Sequence, residues 1–78
     1  MNINDKINFL VKKNMPVDIP NLIIDDSTDL VEDIGMDSIC FFAFLLDLEE
    51  EFKINMLCFE IDSLKLGDIK KIVEIKLS

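Results

Sequence analysis

Asp33-Ile34-Gly35-Met36-Asp37-Ser38-Ile39, then Cys40-Phe41-Phe42-Ala43-Phe44-Leu45-Leu46-Asp47-Leu48, then Glu49-Glu50-Glu51-Phe52-Lys53, is the stretch that decides the fold. Its apolar residues recur at helical spacing, which predicts a helix from Ser38 to about Lys53 entered through a glycine turn. At about 100° per residue, Phe41, Phe44, Leu45, Leu48 and Phe52 share one stripe about 100° wide, enough for a face turned to a core. Ile39, Phe42 and Leu46 fall outside it and form a second apolar strip flanked by Glu49, Glu50 and Lys53. That strip reads in two ways: a helix buried on two sides, or an exposed docking surface rimmed by acids.

Ser38 has two readings as well. A helix N-terminus carries unpaired N–H groups and a partial positive charge, so a serine there suits a phosphate-linked prosthetic group. Serine is also among the preferred N-cap residues and needs no cofactor to explain its place, and local chemistry alone favours that plainer reading. Gly35 lets the chain turn sharply just before it.

Outward from this stretch, Ile3, Ile7, Leu10 and Val11 have helical spacing and predict a first helix from Asn4 to about Lys13, with Asn4 or Asn2 at its cap. Residues 14–37 hold Pro16, Pro20 and a run of Asp, Ser and Thr, so they read as a long loop with a short turn of helix near Asp29 to Asp33. So long a connection needs its own anchors, and Val17, Ile19, Leu22, Ile23, Leu30 and Ile34 are the candidates. A short third helix is expected around Cys58 to Ser63. A last helix is expected from about Leu66 or Gly67 to Leu77, burying Leu66, Ile69, Ile72, Val73 and Leu77. Gly67 near its start costs little there.

Seventy-eight residues allow one small domain, taken as 1–78. The net charge of −8 argues against nucleic acid and anionic membrane as partners and for basic protein surfaces. Half the residues are hydrophobic, which argues against a disordered acidic tail. The sequence has no apolar run long enough for a membrane span and no leader pattern, so the expected compartment is the cytoplasm, with Cys40 and Cys58 reduced. No metal site is expected. Placing Gly35 at the sixth position of a calcium loop puts Leu30 where the first ligand belongs, and the two cysteines lack zinc spacing and histidines. With no His, Arg, Tyr or Trp in the chain, no base stands beside Ser38 except Asp37, and no catalytic residue is expected.

Thr28-Asp29-Leu30-Val31-Glu32-Asp33-Ile34-Gly35-Met36-Asp37-Ser38-Ile39, spaced as it is from Leu48-Glu49-Glu50-Glu51-Phe52-Lys53-Ile54, resembles the acyl carrier protein family, including carriers of polyketide and nonribosomal peptide assembly. The likeness covers most of the chain and is best to free-standing carriers. It implies an all-α, four-helix bundle with a long loop between the first two helices. It implies that Ser38, in its Asp37-Ser38-Ile39 motif, bears covalent 4'-phosphopantetheine derived from coenzyme A, whose thiol holds acyl, aminoacyl or peptidyl cargo. The implied partners are a phosphopantetheinyl transferase, a loading enzyme and downstream synthase or transferase enzymes, met by a monomer through Ile39, Phe42, Leu46, Glu49 and Glu50.

The chain also departs from that family. Carriers of primary fatty-acid synthesis usually place acids where Cys40 and Ala43 stand, and an acidic stretch where Met56-Leu57-Cys58-Phe59 stands. These departures favour a dedicated polyketide or nonribosomal peptide type of pathway over housekeeping fatty-acid synthesis, since charge tunes partner choice. An unmodified acidic helical adaptor is the alternative from another class.

Overall fold

Asn2 opens the first helix: its side-chain oxygen accepts a hydrogen bond from the Asp5 amide at 2.8 Å, satisfying one of the N–H groups that a helix start leaves over. In the computed structural model, which describes residues 2–56 and 61–78, this helix, α1, runs Ile3–Lys13. A second, α2, runs Ser38–Phe52, and a third, α3, runs Leu66–Leu77. The described residues form no strand, only one antiparallel bridge between Asp29 and Lys65. Asn4, the other candidate cap, instead accepts a hydrogen bond from Lys70 Nζ.

One core joins the three helices to the connection between them. Ile7, Leu10 and Val11 of α1 meet Phe44, Leu45 and Leu48 of α2 and Leu66, Ile69 and Val73 of α3, with Leu30, Ile34, Met36 and Met56 filling the space between. Phe41 and Phe52, expected within the buried stripe, are half-buried and packed against the core, as is Ile72 on α3. Leu77 was expected to be buried and is exposed at the last turn, beyond the reach of the core. Lys70 takes a buried position instead. Its ammonium is satisfied by Asn4 and by Asp26 Oδ1 at 3.3 Å, which lets a lysine sit on the buried face of α3.

The connection, residues 14–37, is anchored differently from the expectation. Leu30 and Ile34 are buried and Ile19 and Leu22 are half-buried, but Val17 and Ile23 are exposed. Backbone hydrogen bonds to the start of α3 do the rest. Leu30 N donates to Leu64 O at 2.9 Å, Leu66 N to Thr28 O at 2.8 Å, and Gly67 N to Asp26 O at 2.9 Å. Lys65, the cap residue of α3, offers no side-chain acceptor, so the connection's carbonyls cap that helix. Gly67 is required here and not merely tolerated, because a Cβ at that position would lie 2.8 Å from Asp26 Cβ and 2.9 Å from its carbonyl oxygen.

The short third helix expected from Cys58 falls over its first three residues outside the described ones, and Ile61 to Ser63 are not helical. Chain direction is lost after α2 through Lys53, which adopts the left-handed conformation (φ 55°) with its amide on the Glu49 carbonyl.

Candidate functional site

A turn of helix-like bonding leads into α2: Asp33 N donates to Asp29 O at 2.9 Å and Gly35 N to Val31 O at 3.0 Å. The acids here complete the turn. Asp29 Oδ1 accepts from the amides of Val31 and Glu32, each at 2.8 Å, and Asp33 Oδ2 accepts from Asp29 N at 2.8 Å. Gly35 then reverses the chain at φ 84°, a conformation that glycine adopts without the strain other residues meet. Buried Met36 pins the far side of the turn, a role the sequence reading did not give it.

Asp37 is the N-cap of α2, its Oδ1 accepting from Cys40 N at 2.8 Å. Ser38 is therefore the first helical residue and not the cap, which overturns the plainer reading of this serine. It is exposed, and its hydroxyl has no hydrogen-bond partner among the described residues. Hydrogen bonds from the Cys40 backbone and side chain hold the Asp37 carboxyl below its ordinary 3.8. The same contact with Asp37, with some burial, pushes the Cys40 thiol up from 9.0, so it stays protonated at neutral pH. The helix N-terminus thus already holds a carboxylate, and the amides expected to favour a phosphate are partly engaged by it.

At about 100° per residue, Ser38, Ile39, Phe42, Leu46, Glu49 and Glu50 lie within one sector of about 120°, beside the buried stripe and not overlapping it. Ile39 is 79% exposed, Phe42 53% and Leu46 60%, so an apolar surface runs down the helix from the serine. Glu50 is exposed beside it. Glu49 is half-buried, and its Oε2 accepts from Met56 N at 2.8 Å, so this acid also holds the chain that leaves α2. Cys40 and Ala43 are half-buried on the flank of the strip and leave it uncharged there. Asp47 is turned the other way and binds Lys13 Nζ at 3.3 Å and Asn14 Nδ2 at 2.9 Å.

Sequence reasoning missed Lys70, although helical spacing from Leu66, Ile69 and Val73 puts it on the buried face of α3. The described residues contain no group of three or more potential metal ligands.

The fold and the site together define a small helical domain that presents an unengaged serine hydroxyl at the head of an apolar helix face. Residues 10–73 match the family model for the phosphopantetheine attachment site, and the chain belongs to that family. No curated protein matches it. The domain is thus a phosphopantetheine-bearing carrier and the place of covalent 4'-phosphopantetheine attachment. Such domains generally carry and do not catalyse, and they work with enzymes that modify and use them. No helix among the described residues is long and apolar enough to cross a membrane.

Proposed function

We propose that Ser38 is the attachment point and that the chain is a non-catalytic carrier protein of a dedicated polyketide or nonribosomal peptide type of pathway. The observation that supports Ser38 is its exposed hydroxyl at the first position of α2, without a hydrogen-bond partner among the described residues. The site fits the group, since a phosphodiester at this oxygen projects into solvent. When bound, 4'-phosphopantetheine supplies a terminal thiol that holds acyl, aminoacyl or peptidyl cargo as a thioester. The protein supplies the address: the turn Asp29 to Gly35 fixes where the arm leaves, and α2 fixes what lies beneath it.

Partner recognition is assigned to Ile39, Phe42 and Leu46 with Glu50 at the rim, and Glu49 serves both the rim and the chain turn. The exposure of that strip supports this, because large apolar side chains gathered beside a reactive position are a mark of interaction sites. The transferase, a loading enzyme and the downstream synthase are then read as successive visitors to a monomer in the cytoplasm. The dedicated pathway rests on Cys40 and Ala43, which leave the flank of the strip uncharged.

The test is intact mass after incubation with coenzyme A and a broad-specificity phosphopantetheinyl transferase. Wild type gains one phosphopantetheine. Ser38→Ala gains nothing and keeps its helical circular dichroism, because the cap belongs to Asp37 and an exposed change of this kind moves stability by no more than about 0.5 kcal/mol. Modification of the alanine variant would place the attachment elsewhere. A wild type that is never modified would leave the adaptor reading.

A further inference from the structure

Asp37 and Ser38 are neighbours, and both side chains are among the preferred N-caps. Only one can hold the position, because a cap residue has an extended backbone and the residue after it is helical. The backbone gives it to Asp37, at φ −90° and ψ −176°, with its carboxylate on the Cys40 amide at 2.8 Å. Ser38 is thereby moved into the helix, where its exposed hydroxyl is left without a partner among the described residues.

We infer that Asp37 is a positioning residue for the modification: by capping α2 it denies the cap to Ser38 and keeps the serine hydroxyl free for the transferase. The inference rests on the reading of Ser38 as the attachment point. Without an acceptor at 37, α2 can begin one residue later with Ser38 as its cap, Ser38 Oγ accepting from the amide of Phe41. That amide now bonds the Asp37 carbonyl at 2.9 Å. A serine so held has an extended backbone, and one oxygen lone pair is committed to an N–H. The transfer needs that oxygen. Ser38 Oγ bonds to the phosphorus that carries the pantetheine as the P–O bond to departing adenosine 3',5'-bisphosphate breaks, and the hydroxyl proton passes to a base on the transferase.

A different role would produce the same motif, namely a transferase that reads the charge of Asp37. Asparagine separates the two, because it caps as well as aspartate and carries no charge. The experiment compares wild type, Asp37→Asn, Asp37→Ala and Ser38→Ala of the full chain in transferase kinetics with coenzyme A, following intact mass. Asp37→Asn should stay within about twofold of wild type, since the cap is kept. Asp37→Ala should raise the KM for the carrier by about fivefold and leave kcat unchanged, because a fraction of molecules holds Ser38 as the cap and is not competent. In the amide spectrum of unmodified Asp37→Ala, the Phe41 resonance should move and the Cys40 resonance should lose its bonded position. Should Asp37→Ala lose its helical signal, Asp37→Gly replaces it, and the KM should then rise above that of Asp37→Asn but by less than about fivefold, because glycine caps only slightly less well than aspartate while Ser38 remains the better cap; a KM equal to that of Asp37→Asn would overturn the inference. The inference is overturned if Asp37→Asn falls as far as Asp37→Ala, which means charge reading, or if Asp37→Ala is modified like wild type. If Ser38→Ala itself gains the group, the attachment reading fails and the cap question falls with it.

Discussion

Asp25, Asp29, Asp33 and Asp37 each accept a backbone N–H from a residue two to four positions away. The acids that crowd the approach to α2 are thus turn and cap acceptors, which is why they recur at intervals and do not gather round one point. Their titration gives a direct expectation. Asp25 is held below 3.8 by Ser27, through its hydroxyl and its amide, and Asp37 by Cys40. Because both carboxyls are more acidic folded than unfolded, they add stability above the ordinary value and lose it as pH falls through the lowered one. The urea midpoint should be flat near neutrality and decline once pH drops below 3.8. Asp37→Asn should flatten part of that decline, and an acid limb identical in wild type and variant would remove Asp37 from the account. Gly67 supplies a second expectation at this scale. Its would-be Cβ meets backbone atoms of Asp26 that no rotamer change can move, so Gly67→Ala should destabilise by about 1–3 kcal/mol in denaturant unfolding despite the better helix propensity of alanine.

The three helices were legible because each buries one face, and period alone marks that face: Ile7, Leu10 and Val11, then Phe44, Leu45 and Leu48, then Leu66, Ile69 and Val73. The connection was not legible to the same degree. Val17 and Ile23 look like anchors by composition, whereas the segment is held by Thr28 and Asp26 carbonyls on the amides of Leu66 and Gly67, and backbone groups leave no trace in residue type. The Asp37-Ser38-Ile39 motif was readable, but which of its two polar residues caps α2 is decided by the backbone at Asp37 and not by residue type. On α2 the two faces should answer differently to truncation. Phe44→Ala or Leu48→Ala should cost about 2–5 kcal/mol, since both side chains are fully enclosed. Phe42→Ser or Leu46→Ser should leave the melting temperature nearly unchanged and slow transfer to or from partner enzymes. A large fall in melting temperature for Phe42→Ser would assign that side chain to the core.

At the scale of the whole molecule, a net charge of −8 draws in basic partners over distances that salt shortens to about 8 Å at physiological ionic strength. Contact through Ile39, Phe42 and Leu46 does not fade in that way. If the uncharged flank at Cys40 and Ala43 selects the partners, loading by the native enzymes should change little across a salt series, and fatty-acid synthesis enzymes should load the carrier poorly. Cys40→Asp with Ala43→Glu should reverse the preference, because added charge serves a basic interface and desolvates badly in an apolar one. Efficient loading of wild type by fatty-acid synthesis enzymes, with a steep loss at higher salt, would make the chain a housekeeping carrier.

The strap between the long connection and α3 also orders events in time. Its partners are far apart in sequence, Asp26 and Lys70 by 44 positions, and α3 lies at the C-terminal side of the described chain. During synthesis the serine leaves the ribosome well before Leu64, Leu66 and Gly67, so the turn that sets its position lacks its backbone partners until the segment around residue 67 has followed. If Ser38 is the attachment point, a chain whose segment around residue 67 has not yet emerged should be modified more slowly than the full chain, although its serine is already out. On that reading, loading with the arm would also report that the whole domain has closed.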